Sequence, residues 1–261
     1  MSDHEPIKLM AHLVAGFPTI EDSLMIAEAL AAGGADYLEV QFPFSDPSAD
    51  GKPIQAACSA SLDAGFRVAD GFELVEKIRR RVQIPVFIMS YASPVYTMGV
   101  ERFAERAVEA GAAGVIIPDL MPGSDEGLYE SGRRHSIAVV PVITPSVSDE
   151  RLESISTEKP KYMYCALRSG ITGDATQLDG ENIGFLRRIR DISPVVMAGF
   201  GIQSREQVAA LASHADVAIA GSVFVREIQR LLHESPEDLY DGVRDKAAEL
   251  VEELPVHIPE S

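Results

Sequence analysis

The chain has 261 residues, 46% of them hydrophobic, and a formal net charge of −17. That acidity excludes roles that depend on neutralising nucleic-acid phosphates, and no apolar run is long enough to span a bilayer. No basic stretch leads into an apolar segment at the start, and Cys58 and Cys165 are too few and too far apart for a disulfide framework or a zinc site; the expected setting is the reducing cytoplasm.

After a polar lead-in over 1–6, Lys8–Val14 is predicted as a first strand, ended by Ala15-Gly16-Phe17-Pro18. Thr19 then caps a helix from Glu21 to Ala32, closed by Gly33-Gly34. Tyr37–Phe42 is a second strand, followed by an acidic, proline-punctuated loop and helices over Ile54–Ala64 and Asp70–Val82. Further strands are expected at Pro85–Ser90, Ala113–Ile117, Ala138–Ile143, Tyr162–Leu167, Pro194–Ala198 and Asp216–Ala220. Between them fall helices at Val100–Ala110, Asp125–Arg134, Asp149–Ser156, Ile183–Ile192 and Arg205–Ser213. One more runs from Gly221-Ser222 to Leu232, and a last from Pro236 to Glu253. Eight short apolar strands, each followed by a helix, are the pattern of an α/β, single-domain (β/α)8 TIM barrel with extra helices. The domain is expected to cover 1–261, with loose ends at 1–6 and 254–261. An open doubly wound sheet is the rival, disfavoured because no G-x-G-x-x-G follows the first strand. The long loop Arg168–Gly180, poor in apolar residues, reads as a mobile lid.

Alternation along the second strand puts Tyr37, Glu39 and Gln41 on one face and Leu38, Val40 and Phe42 on the other. The apolar face packs on helices, so Glu39 points into the barrel. Asp50, eleven positions on, lies in a loop able to fold back over the strand end. Two carboxylates at one mouth are material for acid–base chemistry; a buried Glu satisfied by neighbours, with Asp50 capping the next helix, is the alternative that spacing leaves open. Gln41 shares the inward face, and its amide needs Glu39, Asp50, a substrate hydroxyl or backbone groups as partners.

Barrel enzymes often bind phosphate with the loops after the last two strands and a helix N-terminus. Here those loops hold Gly199-Phe200-Gly201-Ile202 and Gly221-Ser222, and Gly173 adds an amide from the preceding loop. Such a site needs no Lys or Arg, which suits an anionic substrate in an acidic chain. Tyr164 offers either a hydroxyl near a strand end or ordinary core packing. The histidines show no metal-ligand spacing, and His12 reads as a satisfied core residue. Asp119 is either a functional acid or a turn acceptor.

These residues carry a resemblance. LEVQFPFSDPSADGKPIQ, from Leu38 to Gln55, then Tyr164 with Arg168-Ser169-Gly170-Ile171-Thr172-Gly173, then Gly199-Phe200-Gly201-Ile202 and Gly221-Ser222 together resemble the tryptophan synthase α subunit family. The resemblance spans nearly the whole chain. It implies cleavage of indole-3-glycerol phosphate to indole and glyceraldehyde 3-phosphate, with Glu39 as the acid–base residue and Asp50 holding the indole N–H. It further implies substrate binding by Tyr164, Thr172, Gly173, Phe200, Gly201, Gly221 and Ser222. The implied partner is a β subunit in an α2β2 tetramer; that subunit holds pyridoxal phosphate, and the α chain carries no cofactor and no metal. Gln41 stands where the family usually has Gly, Ser48 where it has Leu, and Ser93 where Asn is common, while Lys52-Pro53 shifts a usual Pro by one. A stand-alone indole-releasing lyase, or a weakly active chain serving to activate the β subunit, are the other functions these residues allow.

Overall fold

The structure, a computed structural model, describes residues 6–167, 178–199 and 201–252. Among them nine strands alternate with eleven helices. The first part of the chain runs β1 (Lys8–Val14), α1 (Ile20–Ala32), β2 (Tyr37–Gln41), α2 (Lys52–Asp63), α3 (Val68–Arg81), β3 (Val86–Met89), α4 (Ala92–Met98), α5 (Val100–Glu109), β4 (Gly114–Ile116) and α6 (Leu128–His135). It continues through β5 (Ala138–Val140), β6 (Val142–Ile143), α7 (Asp149–Thr157), β7 (Tyr162–Ala166), α8 (Gly180–Arg190), β8 (Val195–Gly199), α9 (Arg205–Leu211), β9 (Val217–Ala220), α10 (Ser222–Arg230) and α11 (Pro236–Val251).

All pairings are parallel, in the order β5-β4-β3-β2-β1-β9-β8-β7-β6. The two ends of that order, β5 and β6, are consecutive in the chain and separated only by Pro141, so the sheet closes on itself. The predicted fifth strand is thus one stave broken in two. Pro141 has no N–H to give the ladder, but its carbonyl accepts from Tyr164 N at 3.0 Å. The architecture is the expected (β/α)8 barrel.

The period of two along each strand sorts the core into two layers. Leu9, Ala11 and Leu13 of β1 and Leu38 and Val40 of β2 face outward, into the main core beneath the helices. Met10, Phe87, Met89, Met197 and Ile219 fill the barrel interior. Phe42, just past β2, anchors the base of the acidic loop by edge-on packing against Phe72, with ring centroids 5.1 Å apart; Phe72 in turn meets Phe103 at 5.2 Å. Such aromatic pairs add about 0.5–1.5 kcal/mol each beyond the area they bury.

Helix starts follow their capping chemistry. Thr19 Oγ1 accepts from Asp22 N at 3.0 Å, and Glu21 and Asp22 lie in the first turn, where negative charge meets the positive end of the helix. The short α4 was not expected from the pattern. Asp119 braces its start: both of its carboxylate oxygens accept from Ala92 N, at 2.9 and 3.1 Å. Asp119 is therefore an acceptor at a helix start. The expected lid, Arg168–Gly180, lies almost wholly outside the described residues.

Close approach of backbones fixes one glycine beside the mouth. A Cβ on Gly199 would lie 2.4 Å from the Ile219 carbonyl oxygen in the neighbouring strand, whereas one on Gly184 of α8 would meet nothing within 4 Å. Gly199→Ala is expected to cost about 2–3 kcal/mol in urea unfolding through overpacking. Gly184→Ala should stabilise the chain by about 0.5–1 kcal/mol by removing helix-interior glycine.

Candidate active site

Parallel pairing of β1 with β2 sets His12 opposite Glu39. Both side chains are buried inside the barrel, and His12 Nδ1 lies 2.8 Å from Glu39 Oε2. The other ring nitrogen, Nε2, is buried with no partner among the described residues.

Gln41, two residues further on the same face, is fully buried. Its Nε2 donates to Asp50 Oδ2 at 2.7 Å and lies 3.5 Å from Cys58 Sγ. Of the partners expected for this amide, the structure selects Asp50. Tyr91, one residue beyond the Ser90 that follows β3, donates its hydroxyl to the same Asp50 oxygen at 2.8 Å and accepts from Ala49 N at 3.2 Å. Phe44 stacks on the Tyr91 ring at 5.3 Å. The acidic loop is thereby folded back over the strand ends. Asp50 does not cap α2, whose N-cap is Gly51, without a side-chain bond. Both donors address Oδ2, and no described residue donates to Oδ1.

Burial pushes the Asp50 carboxyl above its ordinary value of 3.8; His12 and the hydrogen bonds from Tyr91 and Gln41 oppose the rise, and Glu39 adds to it. Burial, then the charge of Asp50, pushes the Cys58 thiol up to about 12, so it stays neutral. The same causes raise the Tyr91 hydroxyl, which keeps its proton and remains a donor. Burial raises the Tyr164 hydroxyl well above its usual range, with Glu39 and Asp50 adding to the effect.

Of these groups, His12, Glu39, Asp50 and Tyr164 border one cavity of about 300 Å³ at the C-terminal end of the strands. Met89, Ile116, Val142 and Ile219 give it apolar walls; Glu39, Asp50, His12, Tyr164 and Ser222 supply the polar groups, and Gly201 and Gly221 lie on its border. Gly221 starts α10 without a side-chain cap, leaving first-turn amides and the Ser222 hydroxyl for an anion. Gly201 has φ +77°, a conformation glycine adopts without strain. No Lys or Arg is among the described residues that line the cavity, and no described cluster of three or more His, Cys, Asp or Glu has the arrangement to hold a metal ion.

Six of the residues predicted from the sequence therefore meet here: Glu39, Asp50, Tyr164, Gly201, Gly221 and Ser222. Thr172, Gly173 and Phe200 lie outside the described residues. His12, Tyr91 and Cys58 were missed as members of the site. His12 falls at an inward position between Met10 and Val14, which parity alone reveals; that it meets Glu39 depends on strand register.

A closed (β/α)8 barrel with buried acids at the C-terminal mouth is the architecture of a barrel enzyme. A family model described as the tryptophan synthase alpha chain matches residues 2–253. The tryptophan synthase alpha chain of Helicobacter hepaticus is 40% identical over 91% of this chain and 93% of its own; that of Streptomyces coelicolor is 37% identical over 93% and 89%. Among solved structures, Mycobacterium tuberculosis tryptophan synthase superposes with a TM-score of 0.83 at 32% identity, covering 95% of this chain and 94% of that one. A tryptophan synthase complex from Pyrococcus furiosus gives 0.82 at 30% identity, covering 93% and 97%. The chain belongs to the tryptophan synthase alpha chain family.

Two predictions follow from the Asp50 contacts. Gln41→Met keeps the volume but removes the donor, and a hydrogen bond to a charged group is worth about 1.5–3 kcal/mol. Steady-state assays should show kcat falling about tenfold or more and its acid limb moving to higher pH, because the lost bond had lowered the Asp50 pKa. Asp50 itself has a folded pKa above its unfolded one. Its contribution to stability is thus present below the ordinary value and lost as pH rises through the window from 3.8 to the raised value. Asp50→Asn should therefore melt at a higher temperature than wild type at neutral pH, with the gap closing on acidification, while activity falls.

Proposed function

We propose that this chain is the indole-releasing lyase of a tryptophan synthase, cleaving indole-3-glycerol phosphate to indole and glyceraldehyde 3-phosphate. One observation carries the reading: two buried carboxylates and the uncapped start of α10 share a single, largely apolar cavity. The apolar walls suit an indole ring. Asp50 Oδ1 accepts the indole N–H, and the α10 amides with Ser222, Gly221 and Gly201 take the phosphate. The reacting carbons then lie between, beside Glu39. Tyr164, its hydroxyl held neutral, borders the same space. Thr172, Gly173 and Phe200 join the binding set on their sequence motifs alone.

Protonation of indole C3 turns the ring into an electron sink. Loss of the proton from the adjacent glycerol hydroxyl then breaks the carbon–carbon bond, leaving an aldehyde. Glu39 is the group placed to give the proton, and its burial keeps competing water away. Negative Asp50 stabilises the positive ring that forms. The step balances in protons and electrons without a further group, so the reading assigns this chain no cofactor and leaves pyridoxal phosphate to the β subunit.

The product is passed to that β subunit in an α2β2 assembly. Ser45 and Asp46 are exposed in the loop after β2 and Ser93 in the first turn of α4, the surface the reading sets against the partner. The chain works as one barrel domain. No described helix is long and apolar enough to cross a membrane, and the free, buried Cys58 and Cys165 suit a reducing cytoplasm.

Glu39→Gln is expected to lower kcat for indole release by about 10³-fold, the middle of what a general acid–base group contributes, with the melting curve preserved. Activity within a few-fold of wild type would remove Glu39 from the mechanism.

A further inference from the structure

The geometry points to His12 as a second catalytic residue: its Nε2 takes the glycerol hydroxyl proton while Glu39 gives one to the indole ring. The inference rests on the lyase reading above and divides between two groups the proton transfers that one carboxyl would otherwise perform in turn.

Three observations meet on this side chain. His12 Nδ1 is bonded to Glu39 Oε2 at 2.8 Å, so the imidazole and the carboxyl form one hydrogen-bonded unit. His12 Nε2 is buried, on a residue that lines the cavity, and has no described partner. A buried polar atom without a partner costs about 1–3 kcal/mol, and the large majority of buried side-chain polar atoms have one. Finally, a Cβ added to Gly221 would lie 3.5 Å from His12 Cβ and 3.6 Å from Cγ. The His12 side chain therefore adjoins both Glu39 and the start of α10 and borders the interval from one to the other. A substrate with its phosphate on α10 and its indole N–H on Asp50 must carry its glycerol carbons through that interval.

The proton count closes. Glu39, protonated on Oε1, accepts the Nδ1 proton of neutral His12 in a hydrogen bond at Oε2; Nε2 then has a lone pair. Oε1–H breaks and C3–H forms. The substrate O–H breaks as Nε2–H forms, and Nδ1 passes its proton to Oε2. The hydroxyl oxygen's electrons make the aldehyde C=O as the bond to the indole ring breaks and its electrons neutralise the ring. Glu39 ends protonated and His12 neutral, each with its proton on the other atom. Exchange through water after product release, from Nε2 to Oε1, with Oε2 returning its proton to Nδ1, restores the start.

Asn places a donor near the Nδ1 position but nothing at Nε2, so His12→Asn separates holding Glu39 from moving a proton. The full-length chain would be assayed for indole release as wild type, H12N, H12A and E39Q. Affinity would be measured for the propyl phosphate of indole, which lacks both hydroxyls. H12N is expected to lose about 100-fold or more in kcat, the usual worth of a general base, while analogue affinity stays within about threefold. Added imidazole should restore part of the kcat of H12A and none of that of E39Q. H12N keeping more than about a fifth of wild-type kcat would overturn the proposal and reduce His12 to a support for Glu39. So would a loss carried by analogue affinity with kcat intact. A wild-type chain releasing no indole from indole-3-glycerol phosphate would instead overturn the lyase reading itself.

Discussion

Register between β1 and β2 is the constraint on which the mouth depends. The pairing aligns Ala11 with Leu38, His12 with Glu39 and Val14 with Gln41. Side chains alternate faces with a period of two, so a slip of one residue would send Glu39 under the helices and bring Leu38 or Val40 into the barrel. The outward residues prevent it. Leu9, Ala11, Leu13, Leu38 and Val40 are all fully buried against the helical layer, and reversing them would expose apolar surface and bury charge at once. The packing beneath the helices thereby fixes the chemistry inside the barrel.

Charge is handled locally, against the sign of the whole molecule. A chain of net charge −17 repels anions at long range, yet beyond roughly 8 Å physiological salt screens that field. On the lyase reading the groups that meet the phosphate are backbone amides and the hydroxyl at the start of α10, which would bring positive potential without a cation. Glu39 meets the other side of His12, at Nδ1, and Asp50 is held by Gln41 and Tyr91. On the lyase reading, that arrangement would set the phosphate at one end of the cavity and the developing cation at the other.

Much of the barrel was legible because its strands are short, apolar and bounded by turn residues, and because each is followed by a helical pattern. Its irregularities were not. Pro141 interrupts a run that hydrophobicity reads as continuous, and α4 has its first amide held by Asp119, 27 positions away. The site divides along the same line. Glu39 was visible as a charge on the inward face of an apolar strand, and the glycines at Gly201 and Gly221 as breaks after strands. Asp50 was visible as an acid, but its clamp by Gln41 and Tyr91 joins residues 9 and 41 positions away, which no local pattern encodes. His12 read as a core residue because one strand gives parity and burial, while a partner across the sheet requires the register.

The buried polar atoms without described partners sharpen this division between fold and function. His12 Nε2, Gln41 Oε1 and Ser90 Oγ are three of them, and they sit on β1, at the end of β2 and just past β3. Three adjacent strands thus end in groups that the fold leaves unsatisfied, each at a cost of about 1–3 kcal/mol. Nothing in the packing requires them. Leu9, Val40 and Ile88 on the outer faces of the same strands make the apolar contacts that hold the sheet. A sequence shaped by stability alone would place apolar side chains at the inner ends as well. Of the three, His12 lines the cavity, where a substrate would supply the missing partner, and Gln41 bonds Asp50, which is held above its ordinary pKa. Closed pairing around the barrel makes that tolerable, because strands paired on both sides cannot shift to relieve one costly residue.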